Sequence, residues 1–148
     1  MTKKEVVIIV AEDDDGHAAL IKRNLARAGV SNKIVRFHDG QEVLDFFFPE
    51  DGGAAPAREP DTAYLLLLDI RMPKVDGVQV LAKIKGHAEY KKIPVIMLTT
   101  TDDPKEVERC HLLGCSHYIT KPVDYEDFAG TLRQLGLFLV VVEIPNVR

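Results

Sequence analysis

Five short apolar runs alternate along the chain with segments in which apolar residues recur at helical spacing. Each run is rich in Val, Ile or Leu at consecutive positions, which is typical of a strand buried on both faces of a sheet. Strands that alternate with helices predict a parallel sheet covered on both sides, so we expect a three-layer α/β domain with five strands and five helices. The predicted strands are residues 6–11, 33–37, 64–68, 94–98 and 116–120.

The segments between the strands carry residues that begin and end helices. Asp39, Asp103 and Asp124 occupy N-cap positions, and Gly114 follows the last helical residue of its segment. Before the third strand, residues 49–60 contain three prolines and two adjacent glycines, which predict an irregular loop. A loop of that length is either functional or a tolerated surface excursion, and the sequence leaves both readings open.

Composition restricts the class of protein. A chain of 148 residues, 46% of them hydrophobic, suits one globular domain with a core. The net charge of −4 provides no electrostatic reason to bind nucleic acid or anionic lipid. No apolar run approaches the roughly 18 residues of a membrane span, no secretory signal is visible, and two cysteines cannot form a disulfide framework. We therefore expect a cytoplasmic protein with one domain at residues 5–136 and a hydrophobic tail at 137–148.

Polar side chains follow four of the five predicted strands. An acidic run at residues 12–15 follows the first strand, Asp69 the third, Thr99 the fourth and Lys121 the fifth, whereas the second strand offers no comparable group. The carboxyl ends of parallel strands meet at one edge of a sheet, where α/β proteins bind their ligands. We therefore expect these groups to lie close together.

The chemistry of such a cluster suits phosphoryl transfer. Carboxylates from two strand ends repel each other and raise each other's pKa unless a cation lies between them, and oxygen ligands with few protein contributions favour Mg²⁺. Asp69 beside such an ion could attack phosphorus and become an aspartyl phosphate. Lys121 and the Thr99 hydroxyl would then bind phosphoryl oxygens.

Each of these residues taken alone also has an ordinary structural explanation. The acidic run could cap the first helix, Asp69 could form a turn, Thr99 could favour the strand, and Lys121 could be a solvated surface residue. Their coincidence at one edge of the sheet favours a phosphoryl or Mg²⁺ site.

Four motifs at these positions resemble those of response-regulator receiver domains, the phospho-accepting part of two-component signalling. The resemblance covers roughly residues 6–139 and implies a flavodoxin-like fold with strand order 2-1-3-4-5. It makes Asp69 the phosphoacceptor, with Thr99 and Lys121 as switch residues. It also implies that Glu12, Asp13, Asp69 and the backbone carbonyl of Arg71 bind Mg²⁺. The motifs are VAEDD at residues 10–14, LLDIRMPKVDG at 67–77, PVIMLT at 94–99 and YITKP at 118–122.

The same resemblance implies finer features of the site and of the pathway. Tyr118 is the aromatic residue whose rotamer follows Thr99, although a half-buried strand aromatic would look the same in sequence. The peptide bond between Lys121 and Pro122 is expected to be cis. More narrowly, the long loop and the hydrophobic tail resemble those of small single-domain regulators paired with phytochrome-type histidine kinases.

The resemblance implies a signalling switch rather than an enzyme. A histidine kinase would phosphorylate Asp69, and the chain itself would catalyse only Mg²⁺-dependent self-phosphorylation from a phosphodonor and slow self-dephosphorylation. The 148 residues include no DNA-binding output domain, so we expect output through protein contacts or a phosphorelay. Arg71, Thr100 and Thr101 are candidates for tuning access to the phosphoryl group, and Arg71 could shield the path of the attacking water.

Three other functions are weaker alternatives. A haloacid-dehalogenase-type phosphatase needs a second acid two residues after its nucleophile, where this chain has Arg71. A flavodoxin needs a phosphate-binding first loop, whereas this loop is acidic. Cys110 and Cys115, with histidines nearby, suggest zinc, but a glycine and a change from helix to strand separate them, so we expect buried free thiols.

The tail is hydrophobic at residues 137–142. This segment could complete the last helix and pack on the core, or it could pair with a second copy of the chain. We expect a homodimer built on this tail and the last helix.

Overall fold

The computed structural model describes residues 6–49 and 58–148, so residues 50–57 of the predicted irregular loop lie outside the described part. Five parallel strands form one sheet in the order β2-β1-β3-β4-β5, which confirms the expected topology. Each strand end lies within one residue of the prediction. The strands are β1 Val6–Ala11, β2 Ile34–Phe37, β3 Ala63–Leu68, β4 Val95–Thr99 and β5 His117–Thr120.

A helix follows each strand, and the helices after β2, β4 and β5 begin at the predicted caps. The side chains of Asp39, Asp103 and Asp124 each accept a backbone N–H in the first turn of the helix that follows. Asp76 and Gln79 form a capping box at another helix start, which the sequence interpretation did not identify. The helices are α1 Asp15–Arg27, α2 Gly40–Phe47, α3 Gly77–Lys85, α4 Pro104–Leu113 and α5 Tyr125–Val141, and a short 3-10 helix covers Tyr90–Lys92.

The core lies on both faces of the sheet, because consecutive strand residues alternate between two hydrophobic clusters. All six residues of β3 are buried. Leu66 contributes to the cluster that contains Phe47 of α2, whereas Leu67 contributes to the cluster that contains Leu132 of α5. Each fully buried Leu contributes roughly 1.5–3 kcal/mol, so β3 anchors the residue that follows it, Asp69, firmly to the core.

The chain beyond residue 136 continues on the body of the domain. α5 runs through Gly136, which packs so closely on α1 that an added Cβ would lie 2.5 Å from the Cβ of Ala28. Farther on, Val147 is buried and forms an antiparallel bridge with Thr62, next to the start of β3. Among the described residues, no helix combines the length and apolar character needed to cross a membrane.

Candidate functional site

The register of the sheet brings the predicted site residues together at the carboxyl edge. Ala11 and Leu68 are partners in the β1–β3 ladder, so the next residues, Glu12 and Asp69, lie side by side. The backbone N–H of Asp69 donates to the Ala11 carbonyl at 3.1 Å, which continues the ladder by one step. On the other side, the backbone N–H of Lys121 donates to the carbonyl of Thr99 at 2.6 Å. Glu12, Asp69, Thr99 and Lys121 are all buried.

Lys121 is the cation of this cluster. Its Nζ donates to Glu12 Oε2 at 2.7 Å and to Asp69 Oδ2 at 3.3 Å, and it lies 3.2 Å from Nδ1 of His17. A buried charge is costly unless it is paired, so one ammonium group here compensates two carboxylates that would otherwise repel each other. Nδ1 of His17 also lies 3.5 Å from Glu12 Oε1.

Glu12 is the carboxylate most perturbed by this environment. Burial raises the pKa of Glu12 to about 7; the hydrogen bond and charge of Lys121 oppose that rise, and the negative charge of Asp69 adds to it. Burial thus favours the protonated form of Glu12, whereas Lys121 favours the ionised form. A divalent cation next to it would favour the ionised form and release the proton.

The carboxylates also fit a hard metal ion. Glu12, Asp13 and Asp69 each place one oxygen within 4.8 Å of the others, and no other group of three such ligands is found in residues 6–49 and 58–148. An all-oxygen set with one exposed member leaves room for bound water, which is the donor chemistry that Mg²⁺ prefers. Arg71 lies two residues after Asp69 and is exposed. The role of its backbone carbonyl as a further metal ligand stays a prediction.

Two buried polar atoms of the site have no hydrogen-bond partner. These are Asp69 Oδ1 and Thr99 Oγ1. A buried polar atom without a partner costs about 1–3 kcal/mol, so such atoms are rare in a folded protein. Two of them at neighbouring strand ends fit a site whose remaining partners come from a ligand, either a cation on the carboxylate or a phosphoryl oxygen on the hydroxyl.

A glycine holds the turn that follows Asp69. The backbone N–H of Gly77 donates to the Ile70 carbonyl at 2.8 Å, and a Cβ on Gly77 would lie 2.1 Å from the backbone oxygen of Asp69. Only glycine permits so close an approach of two backbone segments. The start of α3 therefore fixes the backbone of Asp69.

Tyr118 connects β5 to the segment after β4. Its hydroxyl donates to the Thr101 carbonyl at 2.7 Å, and burial raises the pKa of the phenol to about 12. Thr99 is fully buried, whereas Thr100 is exposed. The hydrogen bond links two of the elements that the predicted switch requires, while the coupling of the Tyr118 rotamer to Thr99 stays a prediction.

The expectation of a cis bond between Lys121 and Pro122 is wrong, because no peptide bond in the described residues is cis. The bond before proline favours trans by about 0.5–1 kcal/mol unless the surroundings select the other isomer. In this arrangement the Lys121 ammonium reaches Glu12 and Asp69 with a trans bond.

The two cysteines are buried free thiols, as expected. Burial raises the pKa of Cys110 to about 11, and Cys115 adds to the rise. Burial raises the pKa of Cys115 as well, so both thiols resist ionisation. The sulfur of Cys115 lies 3.8 Å from Nδ1 of His111, but no third ligand joins them among the described residues. Among the described residues, the two cysteines thus lack the four ligands that a structural zinc site takes.

The sequence interpretation missed a residue on β2. Arg36 donates to the backbone carbonyl of Glu12 from Nε at 3.0 Å and from Nη2 at 2.8 Å. Its position inside a strand hid this role, although a lone cation in an otherwise apolar strand is a signal that could have been followed.

Comparisons with known proteins agree with this geometry. Residues 8–133 match the family model described as response regulator receiver domain. The chain is 44% identical to a receiver domain from Rhodospirillum rubrum whose crystal structure covers 96% of this chain and 99% of its own, with a TM-score of 0.89.

Two further relatives are linked by their names to two-component signalling or phytochromes. Response regulator Rcp1 of Synechocystis sp. is 29% identical over 140 residues, which is 94% of this chain and 92% of that protein. Its Mn²⁺-bound crystal structure matches with a TM-score of 0.79 and 27% identity, over 94% of this chain and 98% of the other. The phosphorylated cyanobacterial phytochrome response regulator RcpA is 29% identical, with a TM-score of 0.79, over 97% of this chain and 99% of its own.

Proposed function

This chain belongs to the family of response regulator receiver domains, and on that basis we propose that Asp69 accepts a phosphoryl group from a histidine kinase while Mg²⁺ is bound beside it. The observation that carries the proposal is the state of Asp69, which is buried, has one unpartnered oxygen, and lies within reach of Lys121 and two further carboxylates. A buried carboxylate can act as a nucleophile only if it stays ionised, and it stays ionised only if nearby positive groups compensate its charge.

Different residues of this chain would bind the metal, attack phosphorus and bind the phosphoryl oxygens. Glu12, Asp13 and Asp69 would hold the metal, which when bound neutralises negative charge on the transferred group. A carboxylate oxygen of Asp69 forms the bond to phosphorus as the bond to the donor's imidazole nitrogen breaks, and that nitrogen leaves with the electron pair. Lys121, already 3.3 Å from Asp69, would bind one phosphoryl oxygen and Thr99 Oγ1 another.

Movement of Thr99 toward the phosphoryl group would carry the signal outward. Thr99 is followed by the segment whose Thr101 carbonyl accepts the Tyr118 hydroxyl. A shift in this segment would break or rebuild that hydrogen bond and so bias the surface formed by β4, α4 and β5 between two arrangements.

Relatives support the metal and the kind of kinase. Rcp1 has been crystallised with Mn²⁺, an ion with similar oxygen ligands, and RcpA is named as a phytochrome response regulator. We infer that this chain uses Mg²⁺ and a kinase of the phytochrome type. We place it in the cytoplasm, where its two free thiols stay reduced.

Turnover of a small phosphate ester separates this proposal from the alternative of a phosphatase with an aspartyl-phosphate intermediate. A receiver takes up at most one phosphoryl group per chain and releases it slowly, because Arg71 stands where a phosphatase needs a general acid. Many rapid turnovers per chain with Mg²⁺ would overturn the proposal, whereas a single slow round supports it.

Replacing Arg71 with alanine is expected to speed loss of phosphate from phosphorylated Asp69 several-fold. Arg71 is exposed and lines a cleft of about 290 Å³ together with Thr101 and Arg109, so its side chain can restrict the approach of water. The decay of label after removal of the donor gives the rate. Arg109→Ala is the matched control, because it removes a cation from the same cleft without changing the segment after Asp69. Equal rates in wild type and R71A would refute the shielding role.

We further propose a homodimer built on α5. Leu137, Phe138 and Val140 leave 62, 41 and 49% of their surfaces exposed on the last turns of this helix, and exposed apolar patches of this kind mark protein interfaces. Truncation at Gln134 is a poor test, since it would also remove the buried residues Leu135 and Val147.

The double variant Leu137→Gln, Val140→Gln is therefore expected to sediment as a monomer where the wild type sediments as a dimer. The substitutions remove apolar contact area while leaving the core of the domain intact. Leu112→Gln on α4, at a position 80% exposed, is the control and should leave the dimer unchanged. A monomeric wild type, or a double variant that is still dimeric, would contradict the proposal.

A further inference from the structure

Arg36 connects the edge strand β2 to the segment that joins β1 and α1. Its guanidinium donates twice to the Glu12 carbonyl, at 3.0 and 2.8 Å, and once to Asp15 Oδ1 at 2.7 Å. The Arg36 side chain is 18% exposed and that of Asp15 is 87% exposed. The bonds to Glu12 thus form in the more protected surroundings, where a charged donor to a carbonyl contributes about 1.5–3 kcal/mol.

These contacts span the segment that presents the acidic residues. Glu12 lies one residue past the end of β1, and Asp15 is the first residue of α1. The Asp13 side chain between them is exposed and makes no hydrogen bond or ion pair with any described residue. The position of the Asp13 carboxylate therefore depends on the backbone on either side of it. Arg36 holds that backbone at the Glu12 carbonyl and makes a second, exposed contact to the Asp15 side chain.

We infer that Arg36 is a positioning residue for the cation site, holding the backbone so that Glu12 and Asp13 present their oxygens together with Asp69. This inference rests on the proposed function, since it assigns Arg36 to the same Mg²⁺ site. Groups outside the ligand set that orient the ligands typically change metal affinity about 10–100-fold when they are removed.

A geometric role and a purely electrostatic role for Arg36 predict opposite changes in Mg²⁺ affinity when Arg36 is removed, and this makes the inference testable. A cation near a divalent ion repels it, so if Arg36 acted through charge alone, its removal would strengthen Mg²⁺ binding and Arg36→Lys would leave binding unchanged. If Arg36 acts through geometry, its removal weakens binding. Lysine keeps the charge but lacks the planar fork that reaches Glu12 and Asp15 together, so it cannot restore the affinity.

The experiment measures Mg²⁺ affinity by isothermal titration calorimetry for wild type, Arg36→Lys, Arg36→Ala and Asp15→Asn. We expect the dissociation constant to rise about 10-fold or more in both Arg36 variants. Asp15→Asn is the matched control, because it removes the exposed ion pair and keeps both bonds to the Glu12 carbonyl; its change should be clearly smaller. Thermal unfolding in chelator should show that Arg36→Lys is folded.

Each outcome has a distinct meaning. A wild type that does not bind Mg²⁺ would refute the proposed function. A wild type that binds Mg²⁺, together with R36K that binds equally well or more tightly, would refute only the role of Arg36. Unfolding of R36K in chelator would also overturn the inference, since it would show that Arg36 supports the whole domain rather than the ligand segment.

Discussion

Replacing Asp69 with asparagine is expected to abolish phosphoryl labelling by acetyl phosphate or by a cognate kinase. Asparagine has nearly the same shape, so the variant should fold, but its neutral amide is a poor nucleophile and offers the metal no negative charge. Because Asp69 is the only predicted acceptor, the loss should be complete rather than partial. Intact-mass analysis with and without Mg²⁺ measures the labelled fraction.

Asp102→Asn is the matched control for this experiment. Asp102 is an exposed carboxylate after β4, near the same edge of the sheet, but it is not part of the group formed by Glu12, Asp13 and Asp69. The D102N variant should be labelled at the wild-type rate. Label that persists in D69N would show that phosphate is bound elsewhere. Label that is lost in D102N as well would show that the loss in D69N is not specific to the acceptor.

Replacing Gly77 with alanine is expected to destabilise the domain by about 3 kcal/mol and to slow labelling at Asp69. The new Cβ would lie 2.1 Å from the backbone oxygen of Asp69. Rotation of a side chain cannot relieve this overlap, because the backbone sets the position of the Cβ and the oxygen is itself a backbone atom. The turn after β3 must therefore shift. Urea unfolding measures the change in free energy, and labelling measures the displacement of Asp69.

Gly130→Ala is the control for the effect of removing a glycine. Gly130 lies within α5, and an added Cβ would meet only the end of the Arg133 side chain, at 3.9 Å. This substitution should stabilise the protein by roughly 0.5–1 kcal/mol, since alanine loses less conformational freedom in a helix. If both glycine variants had the same stability, the close approach at Gly77 would have no energetic consequence.

The strands, and the meeting of Glu12 and Asp69 at one edge of the sheet, could be predicted because both depend on local patterns. β1 and β3 are continuous apolar runs that end in carboxylates, and parallel pairing necessarily brings such ends to one edge. The resemblance to receiver domains then supplied the strand order. The buried position of Lys121 is harder to predict than that of Asp69, since an ammonium on a long side chain is usually solvated. Only the fold brings this ammonium to Glu12.

What the sequence did not reveal depends on contacts between distant segments. Arg36 reaches Glu12 only because β2 pairs with β1; a lone cation in an apolar strand marks the residue, but not the carbonyl that it binds. Val147 is buried because the end of the chain returns to Thr62. The isomer of the bond before Pro122 was inferred from resemblance alone, and that inference failed.

A crystal structure with Mg²⁺ and beryllofluoride, an analogue of the phosphoryl group, tests the central claim most directly. We predict the beryllium centre on a carboxylate oxygen of Asp69, with Thr99 Oγ1 and Lys121 Nζ hydrogen-bonded to its fluorides. Mg²⁺ should be coordinated by Glu12, Asp13 and Asp69 or by waters that they hold. Electron density that leaves Asp69 unmodified and shows no metal among these carboxylates would contradict the assignment of a phospho-accepting switch.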